Sequence, residues 1–197
     1  MAQSLSVWAH DEAVSALYEN WQNSTVFNSQ ELDKGLLQQF VKDAQILTKQ
    51  NPNDPRASAI SGLIKAFYAS QFPGIEGLKL AKQARDELQH ALRLDPLVFA
   101  ELTYAELGHL YHNTPGWPFS FGSQPMAEKL LEKALEVDPQ GIMSNLRIGE
   151  YWFDHKAYPQ AQKYLQTAIN IADQNPHISW IDFELLRAKQ MLAKIHK

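Results

Sequence analysis

The 197-residue chain has no cysteine, which excludes disulfides, thiolate metal sites and cysteine nucleophiles together. It has no run of Lys or Arg either, and a formal charge of −4 offers no basic patch for nucleic acid or an anionic membrane. No stretch approaches the ~18 consecutive apolar residues that span a bilayer. The patterns GxSxG, GxxxxGK and GxGxxG are all missing, so the sequence shows neither a nucleophile elbow nor a phosphate cradle. Carboxylates such as Glu101, Glu106, Glu128 and Glu132 read as solvated helix-surface charges. No enzyme and no cofactor is expected. The opening "MAQSLSVWAH" lacks a basic n-region and an apolar h-region. Two readings stay open: a cytoplasmic protein, or a mature chain whose signal has been removed.

Strand-like alternation is also scarce, whereas apolar residues return every three or four positions, which predicts helices. Superposing the chain on itself aligns three segments through Ala84/Leu88/Ala91, Ala127/Leu131/Ala134 and Ala161/Leu165/Ala168. Offsets of four and three put each triplet on one helical face, where alanine lets a neighbour approach closely. Upstream of each lies a second helical segment with an internal glycine: Gly62, Gly108 and Gly149. A helical glycine costs about 0.5–1 kcal/mol against alanine, so close packing is the expected reason for it. Two of the three units end in Asp-Pro, at Pro96 and Pro139, which stops the helix. The third has Asp173 where that proline would stand, with Pro176 three residues later.

The second and third units lie 34 residues apart, the period of the tetratricopeptide repeat (TPR). The third unit resembles that repeat most closely, through Gly149, Trp152, Ala161, Leu165 and Ala168. The fold class is therefore read as all-α, a TPR-like α-solenoid of helix-turn-helix pairs. Its parts are a flexible N-terminus over 1–10 and a single domain over 11–197. That domain comprises a degenerate pair over 11–52, repeats over about 55–96, 99–139 and 142–173, and a closing helix over 178–196. From Gly to Ala the third unit spans 12 residues, the first 22 and the second 19. The first two thus carry 10 and 7 extra residues between their helices.

The TPR resemblance implies that the first helix of each pair lines a concave binding face. By position the candidate groove residues are Arg56, Leu63 and Phe67, then His109 and His112, then Leu146, Glu150 and Phe153. With one arginine and a largely apolar remainder, this face suits an apolar ligand or a partner helix. Alternatively, the loop after His112 or the closing helix fills it. His109, His112 and Glu150 have the types of a zinc site, but the flanking pattern is not HExxH and no metal is assigned.

The second insertion, "NTPGWPFSFGS" from Asn113 to Ser123, has no charge and three aromatics, Trp117, Phe119 and Phe121. Thr114-Pro115 stops the preceding helix, and Ser123 with Pro125 starts the next. Pro115-Gly116 suits a type II turn. The alternation of the aromatics would turn all three to one side of an extended segment. That side must be buried on the helices, line a pocket or meet another protomer.

Leu110, Tyr111, Pro115, Gly116, Trp117, Pro118, Ser120, Phe121 and Gly122 together resemble the T component associated with TRAP transporters (TatT). The resemblance covers about residues 55 to 172 and is strongest over 107–139. It implies a periplasmic homotrimer that engages the transporter's solute-binding protein and handles small hydrophobic organic acids. No lipobox cysteine stands in the chain, a departure from that family's pattern.

Overall fold

The computed structural model describes residues 2–24, 33–174 and 179–195, with side chains from residue 12 in the first helix and from 181 in the last. The chain divides into two compact units, Met1–Val98 and Phe99–Lys197, where sequence reading places one continuous domain. No compositional signal marks the boundary, because Asp95-Pro96 resembles the Asp138-Pro139 helix stop inside the second unit. The first unit holds α1 (Ala2–Gln22), α2 (Lys34–Gln50), α3 (Pro55–Gln71) and α4 (Ile75–Leu94). In the second are α5 (Ala100–Asn113), α6 (Gln124–Val137), α7 (Ile142–Asp154), α8 (Tyr158–Gln174) and α9 (Ser179–Ile195). Helix α1 includes residues 2–10, which sequence reading left outside the helical region. Pro176 lies outside the described residues.

The repeat consists of the pairs α3/α4, α5/α6 and α7/α8, joined by the same packing contact. All nine residues of the Ala/Leu/Ala triplets are 0% exposed. A Cβ on Gly62 would lie 2.6 Å from Leu88, one on Gly108 2.7 Å from Leu131, and one on Gly149 2.8 Å from Leu165. Each glycine therefore exists to seat the leucine of its partner helix. The chain is an all-α helical-repeat protein.

The two insertions are accommodated differently. Beyond its glycine, α3 runs four residues further than α7, and α4 starts six residues further ahead of its alanine than α8. The connection between α3 and α4 stays at three residues, as between α7 and α8. The ten extra residues thus lengthen a helical hairpin. In the second unit the helices match α7 and α8 around the glycine and alanine, and the seven extra residues sit in the loop 114–123.

Helix ends follow local chemistry. Asp54 Oδ1 accepts from Arg56 N at 2.7 Å and Ala57 N at 3.3 Å, with Pro55 opening α3. Ser123 Oγ accepts from Met126 N at 3.4 Å, with Pro125 in the first turn of α6. Helix α7 is capped from outside. Its N-cap is Gly141, and the carboxylate of Glu101 on α5 accepts from Ser144 N. A Cβ on Gly141 would lie 2.5 Å from that carboxylate, so glycine leaves the room. Burial raises the Glu101 pKa, and it outweighs the Ser144 hydrogen bonds that favour the anion.

Candidate functional site

Helix α7 carries an arginine on its buried side, between Leu146 and Ile148. Arg147 is buried and satisfied by three helices. Its Nε donates to Glu106 Oε1 on α5 at 2.7 Å, and Nη1 donates to Glu150 Oε2 at 2.9 Å. Nη1 and Nη2 donate to Glu184 of α9 at 3.0 and 3.1 Å. Arg187 of α9 lies 3.4 Å from Glu150 and 3.3 Å from Glu184. His109 Nδ1 lies 3.3 Å from Glu150 Oε2. Burial opposes ionisation of Glu150, but Arg147, the hydrogen bond and charge of His109, and Arg187 outweigh it. They hold the carboxyl far below the usual carboxylate range. Glu106, expected on the surface, is therefore a buried ion-pair partner. A buried charge is retained only when paired this fully.

This network fastens α9 along the α5/α7 side and leaves a cavity of about 260 Å³ among the three helices. His109, Glu150, Phe153, Arg187, Met191 and Lys194 contribute to its wall. Of the groove candidates, His109, Leu146 and Glu150 are buried, whereas His112 and Phe153 are half-buried. In the first unit Leu63 and Phe67 are also buried, and Trp21 of α1 packs on Phe67 with ring centroids 5.2 Å apart. Arg56 is half-buried beside Asp54. Within the first unit α1 thus covers Phe67; within the second, α9 walls a polar cavity.

The most exposed aromatic side chains among the described residues are on the loop. Trp117 is 89% and Phe119 77% exposed, while Phe121 folds back edge-on against Tyr111 at 5.2 Å. The three aromatics do not share a side, because the segment is not extended. A turn over Gly116–Phe119 closes with Phe119 N and Ser120 N donating to Gly116 O at 3.0 and 3.1 Å. Its central Trp117-Pro118 bond is cis, and Gly116 does not take the left-handed φ that a type II turn at Pro115-Gly116 requires. The turn falls two residues later than expected because Gly116 runs beside Gly122 at the neck. There Gly122 N donates to Pro115 O and Ser123 N to Tyr111 O, both at 2.9 Å. A Cβ on Gly122 would fall 1.8 Å from Thr114 O, so this neck closes only on glycine.

His112 adds a side-chain tie at the same neck. Its Nδ1 lies 2.8 Å from Gln124 Oε1, and its Nε2 2.9 Å from Asp154 Oδ2. Burial disfavours the charged ring, but the bonds to Asp154 and Gln124 and the nearby carboxylates outweigh it and raise the pKa. His112 and His109 are therefore engaged in separate contacts, and no group of three metal-ligating side chains occurs among the described residues. Sequence reasoning missed Arg147, Glu106, Glu184 and Gln124. One signal was available: an arginine flanked by Leu146 and Ile148 on a buried face needs acids, and Glu150 is three residues on.

No family model matches the chain, and no curated protein does. Among solved structures it is similar to "Crystal structure of MamA", with a TM-score of 0.49 and 20% identity, covering 71% of each chain. The helical-repeat architecture accordingly rests on the glycine-leucine packing of this chain itself. No helix among the described residues is long and apolar enough to cross a membrane.

Proposed function

We propose that the protein is a non-catalytic helical-repeat scaffold that docks a protein partner through the loop between α5 and α6. The observation that carries this reading is the presentation of Trp117 and Phe119, 89% and 77% exposed, on a loop whose neck is closed by hydrogen bonds. Exposed aromatics on a preorganised support are the chemistry of interface hot spots, because little ordering cost remains on binding. The resemblance of this loop to TatT supports a finer reading. The partner is then the solute-binding protein of a TRAP transporter, the compartment is the periplasm, and the assembly is a homotrimer. A small hydrophobic organic acid would occupy the α5/α7/α9 cavity, where Phe153 and Met191 meet its apolar body and Arg187 and Lys194 its carboxylate.

The rival is a generic scaffold that grips a peptide or helix in its groove, with no transport role. It has less support in the second unit, where α9 already packs on α7. Calorimetric titration with the solute-binding protein encoded beside a TRAP permease in the same genome separates the two. The TatT reading expects saturable binding that Trp117→Ala abolishes, and absence of binding by the unmodified protein removes it. Light scattering tests the assembly: a trimer mass supports the finer reading, and a monomer at working concentration contradicts it.

A further inference from the structure

On the reading that the loop is the docking element, we propose that His112 is a proton-operated clasp holding the neck of that loop closed. Residues 112 and 124 flank the loop, and their side chains meet across it. Gln124 Nε2 donates to the His112 backbone carbonyl at 3.2 Å, which fixes the amide orientation. Its Oε1, an acceptor only, therefore faces Nδ1 at 2.8 Å. The other ring nitrogen faces the Asp154 carboxylate at 2.9 Å, also an acceptor. Two acceptors are satisfied together only by an imidazolium, which donates from both nitrogens.

The surroundings hold that charge. Asp154 and Glu150 face it from α7, with the Tyr151 and His155 rings centred 5.2 and 5.6 Å away. His155 Nδ1 is tied to Tyr151 O at 2.7 Å. On its own helix His109 lies one turn back, beside Glu150. From α6 the ring meets the uncharged Gln124. Loss of one proton leaves a ring nitrogen with a lone pair. The remaining N–H stays with the charged Asp154, the stronger acceptor, so Nδ1 and Gln124 Oε1 then oppose each other, and the ring's bond across the neck is lost while the Gln124 Nε2 bond to the His112 carbonyl is left unsupported. The loop is locked at lower pH and loosened as the pH rises through the ring's own pKa, which lies above the ordinary imidazole value of 6.5.

The test uses the unmodified protein with no partner. Two-bond ¹H–¹⁵N spectra follow the His112 ring while hydrogen exchange follows the Gly122 and Ser123 amides from pH 5.5 to 9. After correction for intrinsic exchange, protection of both amides should fall about tenfold or more as His112 deprotonates, as expected for losing a charge-assisted bond. Asp154→Asn should move the midpoint to lower pH. Protection that stays flat through the ring's titration, or a midpoint that Asp154→Asn leaves in place, overturns the clasp. Failure of Trp117→Ala to affect partner binding would instead count against the docking reading and leave these amide measurements unaffected.

Discussion

A glycine inside a helix is a cost that only a neighbour can justify, and here the neighbour is the same each time. Gly149→Ala gains about 1 kcal/mol of helix propensity but places a methyl 2.8 Å from Leu165. Overpacking of that kind costs about 1–3 kcal/mol, so urea denaturation should show a net loss for Gly149→Ala. A gain would mean that α7 and α8 part without penalty. Lys156 predicts the opposite sign. It has φ 59 after the end of α7, with its N–H on Phe153 O and that of Ala157 on Trp152 O, the αL cap that favours glycine. Lys156→Gly should stabilise by about 0.5–1 kcal/mol, read as a rise in melting temperature. The triplets and their glycines were legible in the sequence because the same Ala/Leu/Ala spacing recurs in three segments, each with a helical glycine upstream. Glu101 capping α7 was not, because its partner Ser144 lies 43 residues away and no local pattern links them.

Helix α9 is held by charge as well as by its apolar side. Arg147→Met would leave Glu106, Glu150 and Glu184 buried without their shared cation. That loss should cost about 3–5 kcal/mol, measured by denaturation, and a near-neutral result would refute the network's role. The pH response has two limbs. Glu150 has a depressed pKa in the fold, so its contribution is present above the unfolded carboxylate value of 4.5 and is lost as pH falls through the folded one. His112 has a raised pKa, so its contribution is full below 6.5 and is lost as pH rises through the folded value. Unfolding curves across pH should therefore slope downward at both ends, with Asp154→Asn flattening the alkaline limb. At this scale the sequence indicated where the extra residues lie but not their form. Counting showed ten and seven extra residues, yet only packing decides that the first set extends α3 and α4 while the second forms a loop.

For the whole molecule, the question is which surface meets another protein. Positional reasoning favoured the inner helix faces, and a pattern drawn from one repeat cannot register that α1 and α9 pack on them. The loop was legible as an interruption by its prolines and glycines. The outward placement of Trp117 and Phe119 depended on a turn at Gly116–Phe119 that alternation alone does not reveal. On the proposed reading these two side chains dock a partner and do not support the fold. The double variant Trp117→Ala/Phe119→Ala is compared with the unmodified chain in affinity for the proposed partner, a TRAP-type solute-binding protein, and in unfolding free energy. Stability should stay within about 0.5 kcal/mol, as for exposed sites, and affinity should fall about tenfold or more. A loss of stability comparable to that of a buried Leu→Ala, about 2–5 kcal/mol, with affinity unchanged, would contradict that reading.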